Sequence, residues 1–169
     1  MIPIISVVGY ADSGKTTLLV KLIKELKRRG YKVAVIKHHH GDFAIDIPGK
    51  DTWRHAEAGA NTVVLASPGK VAMIEKTESE LTLDEIAEKI TGVDLIITEG
   101  YKKGDKPKIE VFRSEVHKEL VTPPEELLAV AGDVRFAGIP TFALDDTAGL
   151  VDFLVIQMNT DLAAFYHKV

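Results

Sequence analysis

The octapeptide Gly9-Tyr10-Ala11-Asp12-Ser13-Gly14-Lys15-Thr16 constrains this chain more than any other stretch, because it matches the Walker A spacing at every fixed position. It follows a continuous apolar run, Ile4 to Val8, and precedes Leu18, Leu19, Leu22, Ile23 and Leu26 at helical spacing. Strand, loop and helix therefore come in the order the motif requires. The spacing has a chemical reason: glycines permit tight turns and close backbone approach, successive N–H groups form an anion nest, and the helix start adds a favourable dipole. In such a loop Lys15 bridges the outer phosphates of a nucleotide as a point charge, the Thr16 hydroxyl binds Mg²⁺, and Thr17 lies near the innermost phosphate. An ordinary glycine-rich turn needs neither a lysine nor two threonines after its second glycine.

The same patterning extends along the chain. Gly30 stops the first helix, and Lys32 to Lys37 supplies a second strand, so the opening is a β-α-β unit with parallel strands. His38 to Lys50 has no period and reads as a long functional loop, after which Asp51 is placed to cap a helix. Thr62 to Ala66 and Val71 to Glu75 form a hairpin across Ser67-Pro68-Gly69-Lys70, a sequence suited to a type II turn. A helix from Thr82 to about Ile90, strands at Leu95 to Thr98, Ile109 to Phe112, Leu127 to Ala131 and Thr141 to Leu144, and a closing helix from Thr147 to about His167 complete the pattern. The expected class is α/β of the P-loop NTPase kind: a three-layer sandwich with a mostly parallel sheet, an inserted hairpin and, from the Ile109 strand, an antiparallel edge.

Composition narrows the partners. With 169 residues, nearly half of them apolar, one domain spanning 1–169 is expected. The formal charge of −4 offers no global basic field for nucleic acid, and no apolar stretch reaches membrane-spanning length. The first residues show neither a basic leader nor a cleavage site, and cysteine is absent, which suits a cytoplasmic protein and removes thiolate metal sites.

Further candidates gather at strand ends. Leu95-Ile96-Ile97-Thr98-Glu99 resembles a Walker B strand with Glu in place of the usual Asp; Glu99 faces the nucleotide edge as an Mg²⁺ ligand or is a solvated strand-end carboxylate, whereas Asp94 lies at the opposite end. Asp46, in the loop after the second strand, is placed either to approach the metal and order water or simply to face solvent. His38, His39 and His40 read as a metal site, a polar wall for an anionic ligand, or a plain loop; adjacent histidines on an extended chain cannot all converge. Asp133, closing Val130-Ala131-Gly132-Asp133, is either an acceptor for guanine N1–H and amino groups or a turn aspartate. Tyr101, Lys102 and Lys103 make a small basic patch, and Arg54 is a candidate arginine finger.

Taken together, Gly9 to Thr17, Lys37 to His40, Asp46-Ile47-Pro48-Gly49-Lys50-Asp51-Thr52-Trp53-Arg54-His55, Glu57-Ala58-Gly59-Ala60, Thr98-Glu99-Gly100-Tyr101-Lys102 and Lys108-Ile109-Glu110-Val111 resemble the MobB family, adaptor proteins of molybdopterin-guanine dinucleotide biosynthesis. The resemblance runs from the first strand to about Asp133. It implies a GTP- and Mg²⁺-binding homodimer with weak GTPase activity, working beside MobA, the guanylyltransferase that joins GMP to molybdopterin, with the His38–His40 loop facing pterin or partner. It also implies that the hairpin near Ser67 to Lys70 is a dimer element. One departure stands out: Ala44 occupies a place where an acid is expected, which shifts metal or water contact onto Asp42 or Asp46. Two other classes compete, a metallochaperone GTPase loading metal through the histidines and an ATP-dependent small-molecule kinase or ligase.

Overall fold

Ile4–Val8 (β1) is buried at all five positions, which requires cover on both faces and neighbours on both edges. A computed structural model, describing residues 2–160, shows where that strand sits. The chain, expected to form one domain, divides into two compact units: Met1–His38 together with Ile90–Val169, and His39–Lys89.

The first unit is built on a six-stranded sheet in the order β2-β5-β1-β6-β7-β8. Its other strands are Val33–Lys37 (β2), Leu95–Glu99 (β5), Lys108–Phe112 (β6), Leu127–Gly132 (β7) and Thr141–Phe142 (β8). Every pairing in this sheet is parallel. The antiparallel edge expected from the Ile109 strand is therefore corrected: β6 lies inside the sheet, between β1 and β7. Lys108 and Glu110 make the strand look amphipathic, yet both are buried. Lys108 Nζ donates to Glu126 Oε2 at 2.5 Å and to the Gly104 carbonyl at 2.6 Å, and Glu110 accepts from the Val121 and Thr122 N–H groups at 2.7 and 2.9 Å. Such pairing lets charged groups occupy a central strand.

Helix α1 (Lys15–Arg28) presents Leu18, Leu19, Leu22 and Leu26 to the sheet, where they join Ile5, Val7, Ile97 and Val111. Full burial of each such side chain stabilises the fold by about 1.5–3 kcal/mol. Its end is a Schellman motif: Gly30 at φ 91° lets Tyr31 N–H reach the Leu26 carbonyl and Gly30 N–H reach that of Lys27. Helix α4 (Thr147–Thr160) covers the same face through Leu150, Val151 and Leu154. The expected continuation to His167 lies outside the described residues. On the opposite face Phe112, Leu127 and Val130 pack with Leu120, Phe136 and Ile139 from the connecting segments.

In the second unit, Asp51–Glu57 (α2) precedes the hairpin Thr62–Ser67 (β3) and Lys70–Glu75 (β4), and Leu83–Glu88 (α3) follows with a full capping box between Thr82 and Glu85. Two local expectations are corrected. Asp51 is the first helical residue rather than the cap, which is Lys50, and it complements the helix start as an acid in the first turn. Gly69 stays out of the left-handed region, so the turn is not type II; Pro at its second position suits type I equally.

The α1–α4 contact is polar at its rim. Arg29 bonds Glu25, Asp152 and the Ala148 carbonyl, while Arg28 also bonds Glu25. These two guanidinium groups, through hydrogen bonds, lower the Glu25 carboxyl from 4.5 to about 2. A carboxylate with a depressed folded value stabilises above its unfolded value and loses that contribution as it is protonated. Glu25→Gln is therefore expected to melt below wild type at pH 7, with the gap closing between pH 4.5 and about 2; a gap independent of pH in a melting series contradicts it.

Candidate functional site

Parallel strands leave their carboxyl ends on one edge, and the loop from Gly9 to Gly14 leaves β1 there. Gly9 adopts φ 142°, and a Cβ on it would stand 2.7 Å from the Val111 carbonyl oxygen and 2.9 Å from Ser13 Oγ. Asp12 at φ 59° and Gly14 at φ 95° continue the reversal, and Gly14 is the N-cap of α1. The first N–H groups of a helix have no intrahelical acceptor, so this loop ends on unused donors. Ser13 Oγ is buried without a hydrogen-bond partner. Lys15 Nζ reaches back across the loop to the Tyr10 carbonyl. Burial first, and then the charge of Lys102, lower its pKa below the ordinary lysine value.

Thr16, Thr17, Ala11, Asp12, Gly14, Lys15 and Glu99 line one cavity of about 480 Å³. Thr16 Oγ1 donates to Glu99 Oε1 at 2.9 Å, and Lys37 Nζ stands 3.9 Å from the same oxygen. The sequence reading that put Glu99 on the loop's edge and Asp94 at the far end agrees with the geometry: Asp94 accepts from Lys32 N–H at 2.7 Å. A hydroxyl beside a carboxylate, next to an ammonium and a turn of unused N–H groups, is a donor set suited to phosphate and a hard divalent cation.

The remaining candidates scatter. His38 stacks on Tyr101 at 4.5 Å between ring centres, and Gly100 lies against it. His39 and His40 are exposed and belong to the second unit. Among the described residues, no group of three or more His, Asp or Glu side chains is arranged to hold a metal ion. Asp46 also belongs to the second unit, where Oδ1 accepts from Ile47 N–H and Thr52 Oγ1 and Oδ2 is buried without a partner. Asp42 accepts from Phe43 N–H at 2.8 Å, and Arg54 is exposed on α2. Asp133 is committed to Ser114, accepting from its N–H at 2.9 and 3.1 Å and from its hydroxyl at 2.8 Å, and these bonds lower its pKa.

Sequence reasoning missed the segment after β6. The Arg113 guanidinium lies 3.4–3.8 Å from where a Gly14 Cβ would stand. His117 stacks on Tyr10 at 3.9 Å, and Lys102 Nζ lies 5.5 Å from the centre of the Tyr10 ring. The available signal was Arg113 immediately after a strand's carboxyl end; nothing local marked His117.

A parallel sheet in this order, with a glycine-bounded loop joining the central β1 to α1, defines an α/β protein of the P-loop NTPase-like class. The model of the MobB family, "Molybdopterin guanine dinucleotide synthesis protein B", matches residues 4–133. The molybdopterin-guanine dinucleotide biosynthesis adapter protein of Haemophilus influenzae is 44% identical over 132 residues, 77% of this chain and 74% of that protein. Its Escherichia coli counterpart is 37% identical over 170 residues, 94% of this chain and 95% of that one. A crystal structure of molybdopterin-guanine biosynthesis protein B superposes with a TM-score of 0.72 at 35% identity, covering 92% of this chain and 99% of the other. The chain belongs to the MobB family of molybdopterin guanine dinucleotide biosynthesis. No helix among the described residues is long and apolar enough to cross a membrane.

Gly9 is the steric test of this geometry. Gly9→Ala is expected to cost roughly 2 kcal/mol or more in urea unfolding, combining a left-handed backbone with a collision. Gly30→Ala meets open space and is expected to cost about 1 kcal/mol. Equal losses contradict the close approach.

Proposed function

We propose that this chain is a GTP-binding adaptor, holding the nucleotide and Mg²⁺ at Gly9–Thr17 and acting beside the guanylyltransferase of molybdopterin guanine dinucleotide synthesis. The observation that carries the reading is the Thr16–Glu99 contact of 2.9 Å at the mouth of the loop. Lys15 supplies the ammonium for the outer phosphates, and a phosphate beside it opposes the burial and the Lys102 repulsion that lower its pKa. Thr16 and Glu99 are the metal's protein-side oxygen donors, and Mg²⁺ supplies charge neutralisation for the outer phosphates. Preference for guanine rests on the family, whose product carries that base. Hydrolysis in this reading is slow, with Glu99 the acid available in this unit to orient water.

Homodimerisation through the hairpin belongs to the same proposal. Leu65, Val71 and Met73 are 61%, 66% and 59% exposed, and among the described residues β3 and β4 pair only with each other, so each strand keeps an open edge there. Exposed apolar side chains beside unpaired strand edges favour pairing with another strand.

Three outcomes test these statements. Lys15→Ala is expected to weaken GTP at least about a hundredfold in titration calorimetry while leaving far-UV circular dichroism unchanged; wild-type affinity in this variant removes the lysine from the site. Glu99→Gln is expected to raise the Mg²⁺ concentration needed for half-maximal GTP binding, and an unaltered Mg²⁺ titration argues against a metal role. Leu65→Asp is expected to sediment as a monomer where wild type sediments as a dimer; a dimeric variant places the interface elsewhere.

A further inference from the structure

The start of α1 is already electropositive, yet the sheet delivers another cation to it. Arg113 leaves the carboxyl end of β6 and lays its guanidinium against Gly14, the residue that caps the helix. A cation at a helix N-terminus opposes the macrodipole. Glu115 approaches the Arg113 guanidinium only to 3.8 Å and is 74% exposed, and Asp133, which also feels its charge, is bonded to Ser114. Arg113 Nε is buried with no hydrogen-bond partner, and Ser13 Oγ, fully buried in the same loop, has none either. Buried donors left unused beside an opposed dipole are costly unless an anion completes the arrangement.

Two carboxylates hold Arg113 there. Asp133, at the end of β7, accepts from Ser114 N–H and Oγ and fixes the start of the segment. Glu110, wholly buried on β6, accepts from Val121 and Thr122 N–H and fixes its end. The segment is tied to the sheet at both ends, with Arg113 at its root.

Strand order decides which part of a phosphate chain Arg113 meets. β5 and β6 flank β1 on opposite sides. Glu99, with Thr16, stands at the β5 side, while Arg113, with Gly14, stands at the β6 side. Given the nucleotide reading above, on which this rests, the outer phosphates and metal occupy the β5 side and the nucleoside leaves towards β6. We propose that Arg113 is a second cationic ligand of the nucleotide, contacting the phosphates nearest the nucleoside, and that Asp133 is a positioning residue for it rather than a reader of the base.

The test is fluorescence titration with methylanthraniloyl GTP and GDP in Mg²⁺ buffer, using wild type, Arg113→Ala, Arg113→Gln, Asp133→Asn and Lys15→Ala. Gln keeps a polar side chain at Gly14 without the charge, so it serves if Ala perturbs folding, which melting curves monitor. Loss of a charge-assisted contact predicts about tenfold to hundredfold weaker binding of both nucleotides by both Arg113 variants, with an unchanged GTP-to-GDP ratio. Asp133→Asn is expected to weaken binding less, and to add nothing in the Arg113→Gln background. Wild-type affinities in the Arg113 variants, or loss confined to GTP, overturn the inference while leaving the Lys15 result to uphold the nucleotide reading. Wild-type protein that binds neither probe overturns both.

Discussion

The approach of Gly9 to Val111 governs the site. The two backbones come so near that no side chain fits between them, because a Cβ on Gly9 would meet the Val111 carbonyl at 2.7 Å. That contact ties the end of β1 to β6 and forces the chain through left-handed conformations at Gly9, Asp12 and Gly14 before α1 begins. A tight reversal of this kind turns N–H groups inward, and the proposed phosphate site rests on that geometry. The buried faces of β1 and β5 then hold the edge rigid, with Thr98 and Ser6 hydroxyls bonded at 2.9 Å beneath it.

Charge is concentrated around that edge out of proportion to the chain's modest overall balance. Lys15, Lys37, Lys102 and Arg113 surround the helix start, faced by Glu99, Asp12 and Glu115. Burial first, and then the charge of Lys102, lower the Lys15 pKa, while Glu99 and Asp12 oppose the shift. A chain of net charge −4 can therefore still gather cations at one edge, since field strength at a few ångströms depends on neighbours rather than on net charge.

Much of this was legible in the residues because it is local. Walker A spacing, apolar run and helical stripe specify strand, loop and helix, and Glu99 follows from the rule that carboxyl ends share one edge. What the sequence concealed depends on pairing across distance. The inner place of β6 depends on Lys108 and Glu110 being paired, with Glu126 and with the amides of Val121 and Thr122, which no local pattern announces. Asp133 reads from sequence as a base acceptor or a turn aspartate, and only the fold brings Ser114 onto its two oxygens. Arg113 and His117 gain meaning only from the strand order that sets β6 beside β1.

If backbone amides at the mouth of α1 receive phosphate oxygens, two-dimensional ¹H–¹⁵N NMR of the labelled protein, titrated with a non-hydrolysable GTP analogue and Mg²⁺, registers it. Saturable downfield shifts concentrated on the amides of residues 12–17, absent with guanosine alone, are expected. Tight binding that leaves those amides unmoved, with shifts clustered elsewhere, contradicts it.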